Sequence, residues 1–297
     1  MRFSVLSAVA LDLIVGDPRG LPHPVNAIGA AARAGERILR KSIDDEFIGG
    51  AVLTLMIGAG AAFAGLLCAK REPLRTVAGA STLAFRSLLD HVEPIAVALE
   101  AGDLPEARAL LARCVGRDTE GLDECDVARA AIETTAESFC DGIVAPLLYL
   151  RAFGTAGALF YKAVNTLDSL IGHIEKPYTY FGRFAARLDD TLNWIPSRVA
   201  ALAICVSAPA ARGFPREALA VWRRDGDEHR SPNAGQTEAA MAGALGVRLG
   251  GRSSYDGVSY EGAIFGAALR NPKARDVRRA LRIVACAYGV VALCAAW

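Results

Sequence analysis

Ile48–Ala69, IGGAVLTLMIGAGAAFAGLLCA, is a run of 22 residues without a charge, bounded by Asp44-Asp45-Glu46 on one side and Lys70-Arg71 on the other. A helix of about 20 apolar residues crosses the roughly 30 Å of hydrocarbon in a bilayer, so this run predicts a transmembrane helix. Its glycines, Gly49, Gly50, Gly58, Gly60 and Gly65, suit close helix packing without defining a dimer motif.

Outward from this run, composition points the same way. The chain has 297 residues, 53% hydrophobic and 22% charged, too apolar for an average soluble protein and too charged for a bundle of spans alone. The expected fold is all-α: a polytopic integral membrane protein with about five membrane-associated helices and amphipathic helical polar segments, in a single domain over 1–297. Strand signals are few, and no period of 20 to 50 residues repeats.

The other apolar runs are less regular. Phe3–Gly16 carries Asp12 and covers only about 21 Å as a helix, so it reads as a tilted, partial or re-entrant element. Its single basic residue, Arg2, and its internal acid argue against a signal peptide. Ile143–Val164 is interrupted by Pro146, Arg151 and Lys162, which suits an inward-facing or re-entrant helix. Pro196–Ala211 is of marginal length with Arg198 at its head, and Ile283–Trp297 follows a basic run from Arg275 to Arg282.

Between these lie polar segments. GDPRGLPHPV (Gly16–Val25) is a stiff loop in which Asp17 and His23 are suited to ligand contact, although Asp17 before Pro18 equally fits a turn or cap. Glu72–Cys140 is amphipathic, with Pro105 at a helix start and Gly116 at a stop. The linker VGRDTEGLDE holds Arg117, Asp118 and Thr119, and Asp123 with Asp126 predicts an N-cap. Arginine-rich segments 70–142 and 212–282 are expected on the cytoplasmic side. Strict alternation of five spans then separates Asp189 and Asp190 from Glu133, so either one segment does not cross or the site lies between helices within the membrane.

Several classes are excluded. A net charge of +1 gives no reason to expect nucleic acid as a partner. Seven cysteines form no CxxC pair and read as buried apolar groups in a reducing compartment, and four scattered histidines argue against zinc. Neither GxxxxGK[ST] nor GxGxxG is present.

Chemistry concentrates in Arg129–Arg198. In RAAIETTAESFCDGIVAPLLYL, Glu133, Glu137 and Asp141 fall at i, i+4 and i+8 and predict one helical stripe of carboxylates. YKAVNTLDSLIG places Lys162, Asn165 and Ser169 on one arc with Asp168 beside it. FGRFAARLDDTLNWIPSR adds Arg183, Arg187, Asp189, Asp190, Asn193 and Arg198. Acids able to hold a hard cation, with bases able to hold phosphate, fit a Mg-nucleotide or phosphoester site. Helix-surface ion pairs such as Arg129 with Glu133 and Arg187 with Asp190 account for the same spacing. Farther on, the S-P-N-A-G turn at Ser231–Gly235 precedes an alanine-rich helix starting near Glu238. With His229 and an arginine pair before it, the turn reads as an anion cradle or as a solvated connection.

These blocks together resemble the CobD/CbiB family of cobalamin biosynthesis. LDLIVGDPRGLPHPVNAIG, VGRDT, RAAIETTAESFCDGIVAPLLY, YKAVNTLDSLIG, YTYFGRFAARLDDTLNWIPSR and HRSPNAGQTEAAMAGALGVRLGG run in family order. Two positions depart from the family pattern: Glu137-Ser138 stands where an acid-Asn pair is usual, and Gln236-Thr237 where Trp-Pro is usual. The resemblance implies a multi-pass protein of the bacterial inner membrane with its site facing the cytoplasm. Its implied activity is adenosylcobinamide-phosphate synthase: ATP-dependent joining of adenosylcobyric acid, a cobalt corrinoid, to an amino-alcohol phosphate such as 1-aminopropan-2-ol phosphate, with Mg²⁺. Membrane lipid and other cobalamin-pathway enzymes are the expected partners.

Under that resemblance Glu133, Glu137, Asp141, Asp189 and Asp190 are metal or ammonium candidates. Glu133, Glu137, Asp141, Asp190 and His229 are the catalytic set, with His229 or a carboxylate as the base. Lys162, Arg187 and Arg198 are phosphate candidates, and Asp17, His23, Arg117, Asp118, Asn165, Asp168, Asn193, Ser231, Asn233 and Glu238 complete the substrate-binding set. A non-enzymatic AmpE-like membrane signalling protein shares the layout but is not expected to keep HRSPNAG and ARLDDTLNWIP together. A transporter is expected to show two inverted halves, which are missing.

Overall fold

The structure is a computed structural model that describes residues 2–16, 23–173 and 176–297. Among the described residues four helical segments are long and apolar enough to cross a membrane: Glu46–Cys68, Glu124–Ile171, Arg183–Ala211 and Ala274–Ala296. A shorter apolar helix covers Val5–Val15. The protein is therefore an all-α multi-pass membrane protein, with one small two-stranded sheet added. It divides into two compact units.

The first unit comprises Met1–Ala84, Asp141–Asn193 and Ala292–Trp297. It contains α1 (Arg2–Val15), α2 (Pro24–Ser42), α3 (Glu46–Cys68), α4 (Glu72–Ala80), α8 (Ala145–Ile171) and the first turns of α9 (Arg183–Ser207). Asp45 caps α3 by accepting from the Ile48 N–H at 3.0 Å, and the helix stops just before Lys70-Arg71. Small residues let α3 lie against α8. A Cβ on Gly65 would sit 2.6 Å from Ala156 Cα, and the Thr155 hydroxyl donates to the Gly65 carbonyl at 2.8 Å. Gly60, by contrast, faces open space. Leu55, Met56, Phe63, Leu66 and Leu67 stay exposed along α3, as a lipid-facing surface requires. Ala32, Leu53, Leu167, Ile171, Phe181 and Ala185 form the packed centre.

Two helix boundaries differ from expectation for identifiable reasons. A π-turn over Cys140–Val144 precedes α8, and Pro146 falls in the first turn of α8, where its missing N–H costs little. Pro196 does not begin a span but lies inside α9, which starts at Arg183. A proline leaves the carbonyl four residues earlier without its donor, and the Tyr149 hydroxyl supplies one to Leu192 at 3.0 Å.

The second unit comprises Phe85–Cys140 and Trp194–Val291. It contains α5 (Phe85–Glu100), α6 (Leu104–Leu111), α7 (Glu124–Phe139), α10 (Pro215–Asp225), α11 (Ala234–Leu245) and most of α12 (Ala274–Ala296). Pro105 sits in the first turn of α6 as expected, but that helix ends at Leu111 and the chain only bends at Gly116. Asp123 caps α7 through the Asp126 N–H at 2.8 Å. The alanine-rich helix α11 begins at Ala234, four residues before Glu238.

An antiparallel hairpin, β1 (Leu249–Tyr255) and β2 (Val258–Phe265), was not expected. Asp256 and Gly257 turn between the strands with φ of 49° and 77°, the left-handed pair that a tight hairpin needs. Beyond the hairpin, buried Asp276 accepts from Arg270 at 2.7 and 2.8 Å, from Arg279 at 2.9 Å and from the Lys273 N–H at 3.0 Å, which anchors the start of α12.

Candidate functional site

The expected sites do not gather as one stripe. Glu133 and Glu137 lie on α7, whereas Asp141 lies within the π-turn that follows, where the i+4 ladder is interrupted. The predicted residues instead separate into two polar groups, one in each unit.

In the first unit α8 presents Tyr161, Asn165 and Asp168 at i, i+4 and i+7, and α9 presents Asp189 and Asn193 at i and i+4. The Tyr161 hydroxyl donates to Asn193 Oδ1 at 2.8 Å, and Asn193 Nδ2 donates to Asp189 Oδ2 at 2.9 Å. Asn165 Nδ2 lies 3.3 Å from Asp189 Oδ1 and 3.4 Å from Asp141 Oδ2, so one amide bridges two carboxylates. Asp189 is 7% exposed, and Asp168 is near enough for its charge to act on it. The ring of Tyr149 stacks on Tyr161 with centroids 5.0 Å apart, which fixes the hydroxyl at the head of this chain. Lys162 and Asp190 are half-buried and Arg187 is exposed.

In the second unit Arg117 Nη1 meets Glu133 Oε2 at 2.7 Å, and the Gly250 N–H donates to Glu133 Oε1 at 2.7 Å. Burial opposes the charge on Arg117, but the Glu133 carboxylate outweighs it and holds the guanidinium above its ordinary range. Arg129 forms the expected i,i+4 ion pair with Glu133, Nε to Oε1 at 3.9 Å. That guanidinium also donates to the carbonyls of Gly250 and Arg252 at 2.8 and 3.1 Å and pairs with Asp126 at 2.9 Å. Glu238, 7% exposed on α11, faces Glu133, Glu137 and Arg117. Desolvation first, then the two neighbouring carboxylates, push its carboxyl well above the usual range. His229 and Arg117 are close enough to act on Glu137, which is itself exposed.

Other predicted residues have structural tasks. Asp118 accepts from the Ser254 hydroxyl at 2.6 Å and from the N–H groups of Asp256 and Gly257 at 3.2 and 2.9 Å, clasping the hairpin turn. Ser254 first, then the Gly257 N–H, hold its carboxyl below the usual range. Ser231 Oγ accepts from the Asn233 and Ala234 N–H groups, both at 3.3 Å, so the helix start expected to cradle an anion is capped by its own chain. Arg198 Nη1 donates to the Trp194 carbonyl at 2.9 Å and reaches Asn233 Oδ1 at 3.5 Å, with its guanidinium 4.5 Å from the Trp194 ring centroid. Gln236, at the position that departs from the family pattern, accepts from Trp222 Nε1 and donates to the Gly226 carbonyl and Asp227, both interactions with Asp227 and Trp222 being 2.8 Å.

Nδ1 of His229 lies 3.0 Å from the Ser231 N–H nitrogen and 3.3 Å from the Ser231 carbonyl oxygen. His23 caps α2 through the Val25 N–H at 3.3 Å, while Asp17 lies outside the described residues. A cavity of about 940 Å³ in the first unit is lined mostly by apolar residues of α1 to α4 and by Leu159 of α8, with His23 and Ser81 as polar exceptions.

Sequence reasoning missed Tyr161, Tyr149 and the Gly250 N–H. Tyr161 shares a helix face with Asn165 and was open to the same spacing argument. The Asp256-Gly257 pair was a local signal for the hairpin that delivers Gly250.

Comparison with known proteins converges on one family. The family described as CobD/Cbib protein matches residues 5–284. A protein named cobalamin biosynthesis protein CobD from Geobacter metallireducens is 45% identical, over 97% of this chain and 93% of that protein. Proteins of the same name from Desulfotalea psychrophila and Leptospira interrogans are 42% and 40% identical, covering 94% and 87% of this chain and 92% and 85% of theirs. No solved structure matches. With the family match running over nearly the whole chain and through both polar groups, the protein belongs to the CobD/CbiB family of cobalamin biosynthesis proteins.

Proposed function

We propose that the protein joins adenosylcobyric acid to an amino-alcohol phosphate, such as 1-aminopropan-2-ol phosphate, at the expense of ATP, giving adenosylcobinamide phosphate. At neutral pH a carboxylate and an ammonium form a salt, not an amide. In the proposed route the terminal phosphoryl of ATP passes to the corrinoid carboxylate and ADP leaves. The amine nitrogen then attacks the acyl carbon, the C–N bond forms, the C–O bond to phosphate breaks, and a base takes the proton. The site faces the cytoplasm of a bacterial inner membrane, where ATP is present, and other cobalamin-pathway enzymes supply and remove the corrinoid.

The observation that carries this reading is the Asn165 amide bridging Asp141 and Asp189 at 3.4 and 3.3 Å. Two carboxylates so placed favour a cation, and Mg²⁺ characteristically takes one or two carboxylates with water and substrate phosphates completing its shell. Among the described residues no three acids, histidines or cysteines converge as a closed metal cage. Asp141 and Asp189 would hold the ion, and a divalent cation there would offset the charge of the phosphates.

The test is turnover by detergent-purified protein with ATP, Mg²⁺, adenosylcobyric acid and 1-aminopropan-2-ol phosphate, following ADP and corrinoid mass together. Stoichiometric ADP and amide product are expected, with loss of at least about 100-fold in Asp141→Asn or Asp189→Asn while the protein stays monodisperse. A folded wild-type protein that makes no amide, beside an active homologue, overturns the reading.

A further inference from the structure

We infer that Tyr161 is a positioning residue that fixes the separation of the Asp141 and Asp189 carboxylates and thereby sets which divalent cation they accept. The inference rests on the proposed metal role of those two acids and names the side chain that holds them in place.

One hydroxyl reaches the support of both acids. Tyr161 donates to Asn193 Oδ1 at 2.8 Å, and Asn193 Nδ2 donates in turn to Asp189 Oδ2 at 2.9 Å. The same hydroxyl lies 3.3 Å from the main-chain carbonyl oxygen of Asp141. That carbonyl belongs to the π-turn Cys140–Val144, where bonds span five residues, and the residue five positions on is Pro146, which has no N–H to give. The next carbonyl, that of Gly142, accepts from the Ala84 N–H at 2.9 Å. Tyr161 therefore holds Asp141 by its backbone and Asp189 through an amide, from a single point on α8.

The direction of the chain follows from its chemistry. A carboxylate only accepts, so Asn193 must turn its nitrogen toward Asp189 and its oxygen away. Asn193 is buried, so a donor for that oxygen has to come from the protein, and the Tyr161 hydroxyl is one.

The ring that carries the hydroxyl is itself fixed. Tyr161 is fully buried and stacks on Tyr149 with centroids 5.0 Å apart and planes 12° apart. The Tyr149 hydroxyl is held by the Leu192 carbonyl at 3.0 Å, one residue before Asn193. A donor mounted this way does not follow a carboxylate that shifts, so it restrains both acids. Groups that orient ligating carboxylates are worth about 10–100-fold in metal affinity. Mg²⁺ demands near-octahedral oxygens at about 2.0–2.1 Å, whereas Ca²⁺ accepts a flexible shell at about 2.3–2.6 Å. Loosening the two acids should therefore cost Mg²⁺ far more than Ca²⁺.

Mn²⁺ titration of the detergent-purified full chain, read by loss of the free-ion EPR signal with Mg²⁺ and Ca²⁺ as competitors, tests the inference without turnover. Asp189→Asn should lose the bound ion. Tyr161→Phe keeps the stacked ring, and in it Mg²⁺ affinity should fall about tenfold while Ca²⁺ affinity stays within about twofold. A general loss of packing would weaken both ions alike, so an equal fall, or an unchanged Mg²⁺ affinity, overturns the inference. Asn193→Ser cuts the same chain at its middle; it should discriminate between the ions in the same way, and it carries the comparison if Tyr161→Phe leaves the monodisperse peak. A wild-type protein that binds no ion sensitive to Asp189→Asn removes the metal reading and this inference together. Amide product from wild type with an unchanged Mg²⁺ requirement in Tyr161→Phe sinks the positioning role and leaves the ligase standing. A selective Mg²⁺ loss in Tyr161→Phe, without any ligation by wild type, does the reverse.

Discussion

Arg117→Met isolates a buried ion pair in the second unit. The Arg117 and Glu133 side chains are 17% and 5% exposed and meet at 2.7 Å, so removing the guanidinium strands a buried carboxylate. Breaking such a pair costs about 3–5 kcal/mol. The Gly250 N–H at 2.7 Å and Arg129 at 3.9 Å remain to support Glu133, which places the expected loss near the lower end, about 3 kcal/mol. Arg117→Met combined with Glu133→Gln removes both charges and keeps an acceptor for Gly250, so it should recover to within about 1 kcal/mol of wild type. Equilibrium unfolding in mixed detergent micelles, followed by tryptophan fluorescence, reads all three proteins. A loss below about 0.5 kcal/mol in Arg117→Met, or a double variant as unstable as the single one, refutes the buried-pair reasoning.

Two further perturbations test the packing of the first unit and the hairpin of the second. Gly65→Ala forces α3 away from α8, because its new methyl would meet the Ala156 backbone at 2.6 Å; the expected cost is about 1–3 kcal/mol, whereas Gly60→Ala, facing open space, should cost nothing in the same unfolding assay. For Asp118, a folded-state pKa below the ordinary value means that the clasp is present above that ordinary value and is lost as pH falls through the depressed one. Hydrogen-exchange protection of Gly257, corrected for intrinsic rates, should therefore fall with acid in wild type and be low at every pH in Asp118→Ala; equal protection in the two proteins at neutral pH contradicts the clasp.

Local features are legible in the sequence. The uncharged run at Ile48–Ala69 becomes the helix Glu46–Cys68, since hydrocarbon thickness and helical rise leave little choice for such a run. Asp123 caps α7 because an N-cap bond closes within three residues. Family blocks read in order pointed to the family that the comparisons support. The start of α9 was hidden because Arg183–Asn193 is polar on one face, and Pro196 looked like a boundary until Tyr149 supplied the carbonyl that it orphans.

Residue identities alone thus determined the membrane-helical class, the family and the residue types available for chemistry, since hydropathy, helical period and motif order are local properties of a chain. Only tertiary structure decided which of those residues act together. Glu133 is bound from Arg117, 16 residues earlier, and from Gly250, 117 residues later, while Asp141, one helical turn beyond Glu137 in the predicted stripe, shares an amide with Asp189 instead. Spacing along a helix specifies a face, but the neighbour across that face comes from a distant segment, and its distance and burial set which acid is paired and which is bridged.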